Sequence, residues 1–198
     1  DLVNSDPQYV REGKDWGYNF LPAGSVGKGS YLTFLNWKAN SSRPATVYVG
    51  SNDGMMHAFD AAANDTAALE RFAFVPKSII PNLPELAKKN YSHQFYVDGT
   101  MNVGDAAIGA DTTAPWRMVL LGSTGAGGKA IFALDVTDPT TFTQSNVLWE
   151  YSSTLPSTDN DMGYTIGVPQ MGRMKDGTWV AVFGNGYESA SGKAVLYV

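Results

Sequence analysis

Cysteine is absent from the 198-residue chain, which excludes disulfide staples and thiolate catalysis and removes the usual clue to redox compartment. Charge is sparse: 14 Lys and Arg against 19 Asp and Glu give a net −5, with no basic run. Phosphate backbones are bound by clustered cations, so nucleic acid is excluded as a partner. No apolar stretch approaches the about 20 residues that cross a bilayer. Long segments of 3.6-residue period are missing as well, and the one helix candidate, 84–89, is barely more than a turn. The N-terminal DLVNSDPQYV lacks the basic, apolar and small-residue succession of an export signal. His57 and His93 are the only histidines, and no G-x-S-x-G elbow accompanies them, so a Ser-His-Asp hydrolase has no support.

What remains is rich in glycine, with short β-branched and aromatic runs between turn residues, and predicts an all-β protein. Residues 47–60, VYVGSNDGMMHAFD, read as strand, tight turn, strand, because Asp53-Gly54 between apolar runs suits a hairpin turn. Period-two alternation puts Met55, His57 and Phe59 on one face and Met56, Ala58 and Asp60 on the other. Both faces are apolar enough to predict a hairpin covered on both sides. The same grammar returns at 117–136 and 179–198, with Gly122 and Gly184 in the place of Gly50 and Asp135 in the place of Asp60. The spacings between these glycines, 72 and 62 residues, mark an elastic repeat.

Each hairpin has a candidate strand before it, at 31–39, 101–108 and 165–174, and the first two have one after, at 71–75 and 146–151. Four antiparallel strands per radial unit predict a β-propeller. The expected organisation is an N-terminal arm over 1–30, with Trp16, Tyr18 and Phe20 alternating as a strand, and a partial propeller over 31–198. Its blades fall at about 31–80, 95–152 and 164–198, the last without its outer strand. An incomplete ring leaves a sheet edge and a blade face bare, so either a longer chain or another copy is expected to complete it. Loops on rigid scaffolds carry recognition, which directs attention to 76–96, with Lys77, Lys88 and Lys89, and to 152–162. Shorter loops are expected at 61–68 and 111–115.

Several constellations invite sharper readings. Gly122 to Ala130, GSTGAGGKA, contains a loose dinucleotide fingerprint, but a short apolar run follows where a helix would have to start, and Ala130 stands where a phosphate loop needs Ser or Thr. A hairpin turn is the better reading. Asp159 and Asp161 open like a calcium loop, yet Gln170 occupies the closing glutamate position, so they are at most a weak cation site. Asp105 and Asp111 read as loop or strand-end carboxylates, Asp60 and Asp135 as acceptors in Asx turns, and His57 as a hydrogen-bonded core histidine. The five tryptophans are spread across the units as packing residues.

The run VYVGSNDGMMHAFDA, followed by RFAFVP, MGYTIGVPQMGRMKDGTWVAVFGNGYES and a final KAVLYV, resembles the C-terminal β-propeller of the PilY/PilC family over about 31–198. The best markers are Gly50 to Gly54 with His57 to Asp60, and Gly184-Asn185-Gly186-Tyr187. The resemblance implies about seven blades in the whole domain. It also implies a non-enzymatic, secreted or outer-membrane factor at the type IV pilus tip, which binds minor pilins or a surface and supports pilus extension, attachment and twitching motility. Calcium is expected in the full-length protein, in an Asp-rich loop that this chain does not contain; the chain also lacks an Arg-Gly-Asp tripeptide and a von Willebrand factor A-like region. A second class shares the hairpin grammar: quinoprotein dehydrogenases carrying pyrroloquinoline quinone and calcium on the propeller axis. Many of those carry a vicinal cysteine pair, which is absent here. A propeller scaffold with no activity of its own is the third.

Overall fold

A computed structural model of the protein describes residues 1–11, 13–62 and 68–198. Three antiparallel sheets follow one another along the chain. The first orders β1 (Gln8–Val10), β2 (Thr46–Gly50), β3 (Met56–Asp60) and β4 (Glu70–Phe74) side by side. The second orders β5 (Asn102–Ala107), β6 (Trp116–Ser123), β7 (Ala130–Asp135) and β8 (Val147–Ser152) in the same way. The third holds β9 (Gln170–Arg173), β10 (Trp179–Gly184) and β11 (Leu196–Tyr197). The first strands of successive sheets touch, β1 against β5 and β5 against β9, so the sheets fan out from a common inner side. That is the propeller arrangement.

Alternation along the strands builds the seams. On β6, Met118 and Leu120 join Tyr48, Met56 and Ala58 of the first sheet in one buried cluster that includes Phe132 and Leu134. Val119 and Leu121 point the other way and meet Met171, Trp179 and Ala181 of the third sheet. The second sheet is thus buried on both faces, and each large side chain so enclosed contributes about 1.5–3 kcal/mol. The first hairpin is covered on one face only: Val47, Met55, His57 and Phe59 are half-buried, with no further sheet over them among the described residues. In both four-stranded sheets the register slips within the third strand just before its closing aspartate, between Ala58 and Phe59 and between Ala133 and Leu134. Bulges there strengthen the local twist.

Three strand assignments need correction as well. Residues 31–39 are not a strand but part of a helix, α1 (Tyr31–Asn40). Their aromatic and β-branched content favours strands, yet Tyr31, Phe34, Leu35 and Lys38 recur at helical spacing. Tyr31, Phe34 and Leu35 pack around Trp116, while Leu32 and Trp37 stay exposed on the outer side and blur the amphipathic signal. The first sheet instead takes its inner strand from the arm, where Gln8–Val10 pairs with β2. Trp16, Tyr18 and Phe20 form no strand: Tyr18–Phe20 is a 3-10 turn, and Tyr18 stacks on Trp116 at 5.1 Å. In the third unit only Gln170–Arg173 of the 165–174 segment is strand. Of the loop at 61–68, residues 63–67 lie outside the described residues.

Candidate functional site

The insertion at 76–96 leaves the body between β4 and β5. At its start, the backbone N–H groups of Lys77 and Ser78 donate to Glu150 of β8 at 2.7 and 2.8 Å, and Ile79 is buried in the seam between the first two sheets. At its end, Tyr96 N–H donates to Asn52 Oδ1 at 3.0 Å and Val97 N–H to Ser51 carbonyl at 3.3 Å. Between them runs a 3-10 helix, Ile80–Ala87, with Pro81 in its first turn. Its Leu83 packs on the first hairpin turn at Gly54.

The crest beyond Leu83 is open. Leu86, Tyr91 and Phe95 are exposed, as are Lys88 and Lys89. Lys88 Nζ lies 2.6 Å from Glu85 Oε2, an exposed pair, whereas Lys89 has no ion pair among the described residues. His93 Nε2 lies 3.3 Å from Asp1 Oδ2. Two lysines among exposed aromatics, on a rigidly rooted loop, make a surface suited to an acidic or mixed protein partner.

The hairpin residues serve the turn itself. Asp53 Oδ1 accepts the Met55 N–H at 3.0 Å, and Gly54 adopts φ 95°, a conformation costly for any residue with a Cβ. His57 is not a core residue. It sits on the open face of the first sheet, with Asp53 Oδ2 2.9 Å from Nε2 and Glu70 Oε1 2.5 Å from Nδ1. The two carboxylates lie on opposite sides of the ring, so they bracket the imidazole rather than converge on a metal. Asp60 Oδ1 accepts the Ala62 N–H at 2.8 Å, and its Oδ2 pairs with Arg71. Asp135 accepts from the Thr137 N–H at 3.0 Å and pairs with Arg117 at 3.1 Å. Gly122 to Ala130 closes β6 onto β7 through a 3-10 turn, Gly125–Gly127, and a strand follows where a nucleotide site needs a helix.

Asp159 and Asp161 are drawn into the seam between the second and third sheets. The hydroxyls of Tyr151 on β8 and Tyr197 on β11 both donate to Asp159 Oδ2 at 2.6 Å, and its Oδ1 accepts the Asp161 N–H at 2.8 Å. Those two phenols hold the Asp159 carboxyl below the usual aspartate value, and the same bond pushes Tyr151 up to about 12. Asp161 contributes its carbonyl, which accepts from Asn185 Nδ2 at 2.7 Å. The Asn185 side chain also donates to Lys193 carbonyl at 2.8 Å and accepts the Val195 N–H at 3.0 Å, which closes the turn between β10 and β11. Gly184 ends β10 before that turn. Gly186 faces the Tyr164 carbonyl so closely that a Cβ there would lie 1.7 Å from it.

One buried group escaped sequence reasoning. Asp105 is neither loop nor strand end: it lies inside β5 and pairs with Lys38 Nζ of α1 at 2.5 Å, both side chains 1% exposed. Burial pushes its carboxyl up, and Lys38 opposes that shift. Asp105 Oδ1 has no hydrogen-bond partner among the described residues. A carboxylate followed by Ala106 and Ala107 in a strand is the signal that called for a partner. Asp111, by contrast, is an exposed loop residue whose Oδ1 accepts from Thr113. The tryptophans are less dispersed than their spacing suggests, since Trp116 and Trp179 meet at 5.5 Å across the seam.

Comparison with known proteins agrees with the sheets. A family model described as the PilY1 beta-propeller domain matches residues 1–198. A type IV pilus biogenesis factor PilY1 homolog of Xylella fastidiosa is 44% identical over the whole chain, and PilY1 of Pseudomonas aeruginosa strain PAO1 is 40% identical over the whole chain. The chain spans 13% and 16% of those two proteins. The crystal structure of the Pseudomonas aeruginosa PilY1 C-terminal domain superposes with a TM-score of 0.71 at 37% identity, over 95% of this chain and 33% of that one.

Proposed function

The chain belongs to the PilY1 beta-propeller family, and from that premise we propose that it is the scaffold of a non-enzymatic type IV pilus biogenesis factor, acting at the cell surface or pilus tip. Its blades hold recognition loops in place, and the crest at 84–95 binds minor pilins or an external surface, supporting extension, attachment and twitching motility. The observation that carries this reading is the rooting of the insertion: both ends are hydrogen-bonded into the sheets while Lys88, Lys89 and their aromatic neighbours stay exposed. Among the described residues no helix is long and apolar enough to cross a membrane. Calcium enters the proposal only through the full-length protein, in a loop outside this chain.

The test replaces Lys88 and Lys89 together by Glu in the full-length protein. Surface piliation and the affinity for purified minor pilins fall, and the melting temperature stays where it was. Unchanged affinity removes the crest from the binding surface. Loss of piliation on deletion of the gene, restored by the intact copy, tests the biogenesis role separately.

A further inference from the structure

His57 has a carboxylate oxygen at each ring nitrogen, Glu70 Oε1 2.5 Å from Nδ1 and Asp53 Oδ2 2.9 Å from Nε2. A neutral imidazole carries one N–H and one bare lone pair, so it donates to one of the two oxygens and turns its lone pair on the other. Only the doubly protonated ring satisfies both at once. Among the described residues the ring has no other ion pair or hydrogen bond. Its ladder neighbours on β2 and β4 are Val49 and Ala73, and along β3 the Phe59 ring stacks on it at 5.6 Å. Arg71, next to Glu70, pairs with Asp60 instead. Asp53 from the turn and Glu70 from β4 are thus the charges that the ring answers to.

The two arms differ in what else holds them. Asp53 is fixed in the hairpin turn, where its Oδ1 accepts the Met55 N–H at 3.0 Å. Glu70 is the first residue of β4, and its carboxylate has no other partner among the described residues. The arms also lie beneath both roots of the 76–96 insertion. β4 runs on into the first leg, while the turn carries Leu83 on Gly54 and accepts the Tyr96 and Val97 N–H groups through Asn52 and Ser51.

We propose that His57 is a proton-dependent clasp, which fastens the start of the outer strand to the hairpin turn while the ring is doubly protonated and releases it when one proton leaves. The proton kept is the one on Nε2, because its acceptor is already held by the turn, so Glu70 is the arm set free. The clasp adds stability in mild acid, where the ring is charged and both carboxylates are still ionised, and loses it as pH rises through the histidine range of about 5 to 8. The crest reading given above lends the clasp its consequence, a recognition loop seated more firmly in acid; the clasp itself stands without it.

The test is hydrogen exchange of the backbone amides of residues 70–74, read by mass spectrometry on the full-length protein at about pH 5.5 and about pH 8.5, either side of the ordinary histidine value of about 6.5. Parent and His57→Gln are compared at the same pH, so that the intrinsic exchange rate cancels. At the lower pH the parent exchanges about threefold more slowly, the effect of a partly exposed ion pair, and at the higher pH the two agree. Glu70→Gln, a substitution at an exposed side chain, gives the same two ratios against the parent. Ratios that do not change with pH in Glu70→Gln overturn the proposal, as does a parent no better protected than either variant at the lower pH. Exchange in β4 is read without any partner, so its outcome is separate from whether the crest binds pilins.

Discussion

Lys38 Nζ sits 2.5 Å from Asp105 Oδ2, with both side chains sealed from solvent between α1 and the inner strand of the second sheet. Removing one partner strands a buried charge, which costs about 3–5 kcal/mol. Lys38→Met and Asp105→Leu each lower the denaturant midpoint accordingly. The double variant recovers most of the loss, because an apolar pair leaves no charge unmet. A double variant as unstable as the sum of the two singles would show that the groups are not coupled.

Gly54 combines φ 95° with a position where a Cβ would lie 2.3 Å from Leu83 Cδ2. Gly54→Ala therefore destabilises by about 1–3 kcal/mol, read from chemical denaturation. Adding Leu83→Ala relieves the clash and not the backbone strain. Leu83→Ala consequently costs less when Gly54→Ala is already in place than it does alone.

Asp159 links stability to acid. Its folded value lies below the ordinary 3.8 because the Tyr151 and Tyr197 hydroxyls donate to it. The carboxylate thus adds stability that is present above pH 3.8 and is lost as pH falls through the lowered folded value. Substituting both tyrosines by Phe removes the donors and flattens the acid limb of the stability curve below pH 3.8. A limb of unchanged slope would assign the acid transition to other carboxylates.

Asn185 is 4% exposed and spans three backbone groups, the carbonyls of Asp161 and Lys193 and the N–H of Val195. Asn185→Ala removes three side-chain hydrogen bonds at about 0.5–1.5 kcal/mol each and so costs about 1.5–4.5 kcal/mol. Amide exchange of Val195 rises first. Protection there equal to that of the parent would mean that the turn closes without the side chain.

Where local chemistry and long-range packing agree, the fold is legible in the sequence. Asp53-Gly54 sits where strand alternation stops and restarts, so the first hairpin is plain, and the second repeats it around Gly122. The inner strand β1 is only three residues long and pairs with a strand more than thirty residues away, so no local pattern marks it. The helix α1 is hidden by Tyr, Thr, Phe and Trp, residues that suit strands, with Leu32 and Trp37 exposed on its outer side. The exposed lysines of the insertion can be read from composition and loop length. Its anchor at Glu150 cannot, because the bond joins residues 73 apart.

The insertion is tied crosswise. Its first leg grows out of β4 in the first sheet and is bonded to Glu150 in the second; its last leg leads into β5 of the second sheet and is bonded to Asn52 in the first. A tug on Lys88 or Lys89 is consequently divided between two blades and cannot peel either hairpin open by itself. Any load carried by that crest is therefore shared by both layers.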